Sequence, residues 1–143
     1  MIKTDSEYKK AVEKVRDERR RIDAEQNRLK KEGVPKDLIQ LAIDPLASFT
    51  MQLEEEIHFY ENIKRGVFPE LQNLEGLGRL LIALRINRNI QQKELAQALG
   101  VTESQVSRDE RNEYQGASIE KIREVLKVLG VNMISEIDTK IRA

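Results

Sequence analysis

Apolar residues recur at seven-residue intervals near the start of the chain, within an otherwise charged stretch. A narrow apolar stripe with this period is typical of a long amphipathic helix. The stripe consists of Tyr8, Val15, Ile22 and Leu29. Gly33 can adopt the left-handed conformation that closes a helix, and Pro35 cannot continue one. The pattern therefore predicts one long helix that ends near residues 33–35.

A second helix is predicted to follow a short apolar turn at residues 38–43. Asp44 is a favourable N-cap, and Pro45 fits the first helical position. Over residues 46–63 the apolar positions keep a spacing of three to four. Two amphipathic helices joined by a short connection pack antiparallel, so residues 1–66 are predicted to form a helical hairpin. Its stripes are narrow, and we expect a second copy or another protein to cover the apolar surface that remains.

The second half of the chain predicts five short helices. Their expected spans are 77–88, 91–99, 102–111, 118–130 and 132–141. Thr102, Ser118 and Asn132 supply the polar N-caps, and the last helix would carry Ile134, Ile137 and Ile141. Residues 67–76 form a linker between this domain, 77–143, and the hairpin. The whole chain is therefore predicted to be all-α.

Composition supports helices and excludes several kinds of chemistry. Of the 143 residues 35% are charged and 4% aromatic, and there is no cysteine. Disulfides and thiolate zinc sites are thereby excluded, and the single histidine, His58, cannot by itself build an imidazole metal site or a nucleophile–histidine pair. We expect no metal, no cofactor and no enzymatic activity. No membrane span or signal peptide is predicted, so the expected location is cytoplasmic.

Charge alone does not point to nucleic acid. The formal net charge is zero, with residues 1–75 at −2 and residues 76–143 at +2. The sign in the second half suits DNA binding, although its size is small. Any argument for a DNA-binding function must therefore rest on the pattern of residues.

The informative pattern is the junction of the second and third short helices. Gly100 can take the positive φ that a tight turn between two crossed helices needs. Ala96 offers a small side chain where the helices would cross. The apolar residues spaced to fill the wedge between them are Leu95, Leu99, Val101 and Val106. The next helix presents a polar outer face of the residue types that bond to base edges and phosphates.

This segment resembles the Cro/C1-type (Xre-like) helix-turn-helix family of repressors. The resemblance lies in IQQKELAQALGVTESQVSRDERN, followed by SIEKIREVLKVLGV, and covers roughly residues 77–131. It implies that residues 77–143 form a five-helix lambda-repressor-like helix-turn-helix domain. The helix at 102–111 would then enter the major groove of double-stranded DNA.

The resemblance also implies roles for individual residues. Glu103, Ser104 and Arg108 occupy the positions that most often face base edges, and Ser107 lies beside them. Gln92, at the start of the preceding helix, would contact a phosphate. The full set of expected DNA-binding residues is Gln92, Thr102, Glu103, Ser104, Gln105, Ser107, Arg108, Arg111 and Asn112.

One structural pair is also implied by the resemblance. Arg85, in the first short helix, and Glu110, at the end of the third, match two positions that family members join in a buried salt bridge. We expect the pair here to hold the recognition helix on its scaffold. We expect no catalytic residue.

Three positions depart from the family pattern. Asn112 stands where the family has glycine, and we expect it to take the left-handed conformation that asparagine tolerates. Asp109 stands where an apolar residue is common, so that side of the helix is expected to be more polar or exposed. Glu103 and Asp109 place negative charge on a helix that would meet DNA. We therefore expect modest affinity per subunit, raised by dimerisation.

Several functions fit these observations. The first is a homodimeric repressor on a pseudo-palindromic operator, with the hairpin as the dimer interface. The second is an antitoxin that binds a toxin through the hairpin and regulates its own operon. A third is an interaction module that keeps the fold without binding DNA.

Overall fold

The computed structural model describes residues 1–140 and is all-helical in its regular elements, which confirms the predicted fold class. This part of the chain forms two compact units that divide between Phe68 and Pro69. The helices are α1 (Asp5–Lys31), α2 (Lys36–Lys64), α3 (Leu77–Asn87), α4 (Gln92–Leu99), α5 (Glu103–Arg111) and α6 (Ile119–Leu129). Among the described residues, no helix combines the length and the hydropathy that crossing a membrane requires.

The first unit is an antiparallel hairpin of α1 and α2. Near its open end the ring of Tyr8 stacks on that of Tyr60 with 5.0 Å between centroids. The Tyr8 hydroxyl donates to Glu61 at 2.8 Å, and the Tyr60 hydroxyl donates to Asp5. These hydrogen bonds stabilise the ionised carboxylates, so each lowers the pKa of the acid that accepts it. Together they join the start of α1 to the end of α2.

The prediction of an apolar turn at 38–43 and a helix start at Asp44 is wrong. α2 begins at Lys36 and runs through Pro45 without a break. Proline cannot donate to the carbonyl of Leu41, which costs one helical hydrogen bond. Leu41 is 69% exposed, so water can reach that carbonyl. Ile39 and Ile43, which precede Pro45 in α2, are buried in the hairpin. The burial of these side chains keeps the helix continuous through the proline.

The second unit packs α3 at its centre. Six consecutive residues of α3, from Leu81 to Ile86, are buried. Val106 of α5 and Val125 of α6 are at most 1% exposed. A helix that is apolar on nearly every side is found where neighbours cover it all round. α3 is therefore the most deeply buried helix of this unit, and α5 and α6 pack against it.

The predicted fifth helix of this domain is absent from the described residues. Residues 131–140 adopt no helix, so Asn132 caps none, and Ile141 lies outside the described residues. Ile134 is 92% exposed and Ile137 84% exposed. A helix of about ten residues is marginal in water without an apolar face to bury. The spacing of the isoleucines indicated such a face, but no other part of the described residues covers Ile134 or Ile137.

The turn after α5 differs from the prediction for Asn112. Asn112 has a φ of −86°, and the left-handed conformation falls on Glu113 and Tyr114 instead. Tyr114 is 7% exposed, and its backbone N–H donates to the carbonyl of Asp109 at 2.7 Å. Burial of this ring fixes the left-handed residues one and two positions later than the sequence suggested. Left-handed backbone at a non-glycine residue costs about 1–2 kcal/mol.

Gly78 of α3 makes room for this turn. A Cβ placed on Gly78 would lie 1.7 Å from the backbone oxygen of Glu113. Such a contact is impossible unless the backbone moves. The glycine is therefore required by the close approach of α3 to the turn, although it lies inside a helix where alanine would normally be more stable.

We predict that Gly78→Ala destabilises the protein by about 1–3 kcal/mol, because the methyl group overpacks against the Glu113 carbonyl. The free energy of unfolding, measured by urea denaturation of the full chain, tests this. Lys127→Ala on an exposed position of α6 is the control and should leave stability nearly unchanged. An increase in stability for Gly78→Ala, the usual effect of this change in a helix, would contradict the close approach.

Candidate nucleic-acid interface

A glycine turn joins α4 to α5. Gly100 has a φ of +70°, as the sequence predicted, and the N–H of Val101 donates to the Ala96 carbonyl at 3.0 Å. Thr102 then caps α5, its hydroxyl accepting from the N–H of Gln105 at 3.2 Å. α4 therefore ends and α5 begins within three residues, as the two helices of a helix-turn-helix do.

The wedge between these helices is filled by fewer residues than expected. Leu95 and Val106 are each 1% exposed, and Ala96 is 2% exposed. Leu99 is half-buried. Val101, predicted to lie in the same wedge, is 41% exposed and contributes little to it.

Arg85 and Glu110 form a buried ion pair. Arg85 donates from Nε to Glu110 Oε1 at 2.5 Å and from Nη2 to Glu110 Oε2 at 2.9 Å, a bidentate arrangement. Arg85 Nη1 also donates to the carbonyl of Ile90 at 2.9 Å. The two side chains are 3% and 0% exposed. A pair so deeply buried is tolerable only because its polar atoms are matched by hydrogen bonds.

Gln92 completes this cluster. Its amide Nε2 donates to Glu110 Oε2 at 2.6 Å. An amide nitrogen carries two hydrogens, so one N–H remains for another acceptor. Gln92 is the first residue of α4 and is half-buried. It therefore connects the buried ion pair to the surface at the start of that helix.

An open groove on the surface of this unit collects most of the residues that the sequence singled out. Its lining consists of Gln92, Glu103, Ser104, Ser107, Arg108 and Arg111. Glu103, Ser104 and Arg108 are exposed, while Ser107 is half-buried. These side chains offer donors and acceptors of several kinds within one groove, which is what contact with base edges and phosphates requires.

The other three expected DNA-binding residues do not line the groove. Thr102 is the N-cap of α5. Asn112 lies past the end of α5, and its side-chain amide donates to the Gln115 carbonyl at 3.3 Å. Gln105 accepts from Arg108 Nη2 at 3.0 Å, and its own amide donates to Asp109 at 2.9 Å. The Gln105 side chain thus orients the guanidinium of Arg108.

The expectation for Asp109 needs correction. Its side chain is 19% exposed and accepts from Lys121 of α6 at 2.5 Å. The carboxylate therefore faces another helix and carries a counter-charge. Glu103 is then the carboxylate that remains on the groove itself.

The sequence did not predict the contacts of Lys121 and Tyr114. Lys121 lies twelve residues beyond Asp109, and no local rule joins two charges across an intervening turn. Tyr114 packs behind α5, where burial first and the nearby carboxylates of Glu110 and Asp109 second raise its pKa. Its position directly after the recognition helix was the only available signal.

Two crossed short helices with a glycine turn, and an open polar groove on the second of them, define a DNA-binding domain of the helix-turn-helix class. Residues 81–134 match the family model described as helix-turn-helix. This part of the chain is a Cro/C1-type (Xre-like) helix-turn-helix domain, and the protein is a DNA-binding transcriptional regulator. Neither a curated protein nor a solved structure matches the chain.

We predict that Glu110→Gln lowers the free energy of unfolding by about 3–5 kcal/mol, because Arg85 keeps its charge in a buried site without a counter-charge. Thermal and urea denaturation of the full chain measure the effect. Asp109→Asn is the matched control, since it removes a more exposed ion pair to Lys121 and should cost about 1 kcal/mol or less. Equal losses of stability for the two variants would show that the buried Arg85–Glu110 pair contributes no more than the more exposed pair of Asp109 and Lys121.

Proposed function

We propose that the protein is a homodimeric repressor that reads its operator with α5 in the major groove. One observation carries the proposal: six side chains that the resemblance assigned to DNA line a single open groove around α5. The buried ion pair fixes α5 behind that groove. A recognition helix must be held firmly, because direct readout depends on side chains meeting base edges at hydrogen-bond distance.

Base reading falls to the exposed side chains at the groove. Arg108 can donate two hydrogen bonds to the O6 and N7 atoms of guanine, and Gln105 already holds its guanidinium in place. Glu103 can accept from the N4 amino group of cytosine. Ser104 can bond to either kind of group. The proposed half-site therefore contains at least one guanine and one cytosine in the part that α5 contacts.

Phosphate contacts fall to the ends of α4 and α5. The capping box of Gln91 and Glu94 uses the N–H of Glu94, so the N–H groups of the first two residues of α4 are the ones that can meet an anion at this helix N-terminus. Gln92 adds the amide N–H that Glu110 does not use. Arg111 lines the groove at the other end of α5. These contacts set the position of the helix on DNA without selecting a sequence.

Dimerisation supplies the affinity that one subunit lacks. The second half of the chain has a net charge of only +2, so each domain gains little from long-range attraction to the phosphates of DNA. Two recognition helices about 34 Å apart would occupy successive major grooves of a pseudo-palindromic operator. We propose the helical hairpin as the element that joins the subunits. Occupying the operator would block transcription.

We predict that Arg108→Ala relaxes the preference at one base pair and costs about 1–3 kcal/mol on the preferred site. Selection of binding sites from random DNA, performed with the wild type and the variant, measures it. Recovery of the same motif with both proteins would exclude Arg108 as a base reader.

We predict that Gln92→Ala weakens binding to all DNA sequences by a similar factor, because it removes a phosphate contact. Titrations of the selected site and of a scrambled site at several salt concentrations measure the effect. The wild type should lose affinity steeply as salt rises, since phosphate contacts release counterions. Binding that does not respond to salt would argue against a DNA-binding role for the groove.

A further inference from the structure

A chain of polar contacts joins the start of α6 to Arg108, the proposed reader of guanine. The Lys121 ammonium group donates to Asp109 Oδ2 at 2.5 Å. Asp109 Oδ1 accepts from Gln105 Nε2 at 2.9 Å, and Gln105 Oε1 accepts from Arg108 Nη2 at 3.0 Å. The two carboxylate oxygens of Asp109 thus hold different partners. A connected path therefore runs from α6 across α5 to the groove.

The donors and acceptors of this chain fix the direction of the Gln105 amide. An ionised carboxylate only accepts hydrogen bonds, and a guanidinium only donates them. Gln105 must therefore turn its NH₂ group to Asp109 and its carbonyl oxygen to Arg108. The reversed amide would set oxygen against oxygen at Asp109 and N–H against N–H at Arg108. Asp109 thereby determines which end of the amide the guanidinium meets.

The inner end of the chain is held more firmly than the outer end. The side chains of Lys121 and Asp109 are 32% and 19% exposed. Gln105 is half-buried, whereas Arg108 is exposed. The backbone N–H of Lys121 donates at 3.1 Å to the hydroxyl of Ser118, the N-cap of α6. The position of the Arg108 guanidinium is thus tied to the capped first turn of another helix.

A fixed guanidinium is what base reading by arginine requires. The lining of the groove includes Arg108 but neither Asp109 nor Lys121. Gln105 occupies one of the five N–H groups of the guanidinium, which leaves enough donors for both O6 and N7 of guanine. Holding a long side chain in place before DNA arrives removes part of the entropy cost of ordering it on binding.

We propose that Asp109 and Lys121 are positioning residues that set the base preference of Arg108 without contacting DNA themselves. The inference rests on the proposed base reading by Arg108 and adds the residues that control it. An acidic residue of the recognition helix then contributes to specificity, and α6 takes part through the ion pair.

Removing both charges of the ion pair tests this without changing the net charge of the domain. The variant is Asp109→Ala/Lys121→Met in the full chain. Discrimination is the Kd for the selected site with the base pair read by Arg108 replaced, divided by the Kd for the selected site itself. This ratio should fall by about threefold to tenfold. The Kd for scrambled DNA should stay within about twofold of the wild type, because phosphate contacts are unchanged.

The matched control is Glu124→Ala/Lys127→Met, which removes one acidic and one basic side chain from exposed positions of α6. It should leave the ratio unchanged, and circular dichroism confirms that each variant keeps its helices. An unchanged ratio in the ion-pair variant would overturn the proposal. So would an equal loss of affinity for the selected and the scrambled DNA, since that is the effect of a merely structural pair.

A double-mutant cycle shows whether the ion pair acts through Arg108. In the Arg108→Ala background no guanidinium remains to be positioned. Adding Asp109→Ala/Lys121→Met to that background should therefore cause no further loss of discrimination. A further loss at the same base pair would show that the ion pair acts by another route and would overturn the proposal.

The motion of the guanidinium tests the chain in the free protein. Nitrogen relaxation of Arg108 Nε reports its freedom on the picosecond-to-nanosecond timescale. In the wild type it should be more restricted than that of Arg123, an exposed arginine of α6. Gln105→Met breaks the chain at its uncharged link and keeps the ion pair of Asp109 and Lys121. Arg108 should then move as freely as Arg123, and equal order in the wild type and this variant would overturn the proposal.

Failure of this inference is distinguishable from failure of the proposed function. If Arg108→Ala leaves discrimination unchanged, Arg108 reads no base, and both the proposed base reading and this inference are overturned. If Arg108→Ala lowers discrimination and the ion-pair variant does not, this inference alone is overturned. Losses in both variants that do not add in the cycle support it.

Discussion

The buried pair of Arg85 and Glu110 is the interaction on which the DNA-binding unit depends. Arg85 belongs to α3, the central helix, and Glu110 is near the end of α5. Gln92 of α4 and the carbonyl of Ile90 bond to the same two groups. Burying two charges is costly, and the cost is offset only if each polar atom finds a partner. Three helices must therefore meet in one arrangement, and that arrangement sets where the groove lies.

The electrostatics of the groove depend on pairing more than on the number of charges. Asp109 is neutralised by Lys121 and also holds the amide of Gln105, which in turn orients Arg108. The Asp109 carboxylate was expected to disfavour DNA binding, but through Gln105 it helps to position the guanidinium of Arg108. Glu103 keeps its negative charge in the groove. A carboxylate there favours selectivity over affinity, which fits the proposed binding as a dimer.

Elements that depend on a local signal agree with the sequence prediction. Gly100 and Thr102 predicted the turn and the start of α5, because a positive φ and an N-cap depend on adjacent residues. Elements in which packing outweighs a local rule differ from the prediction. Burial of residues such as Ile43 keeps α2 helical through Pro45, and exposure of Ile134 and its neighbours leaves the predicted fifth helix unformed.

The sequence by itself determined the helical class, the helix-turn-helix and the residues around the groove, because these follow from periodicity, caps and a specific motif. The tertiary structure alone decided how α5 is held against α6 and how the turn after α5 is formed. Lys121 reaches Asp109, and Gly78 admits the Glu113 carbonyl, only after α3, α5 and α6 have packed. Such contacts join residues distant in sequence, and no local propensity encodes them.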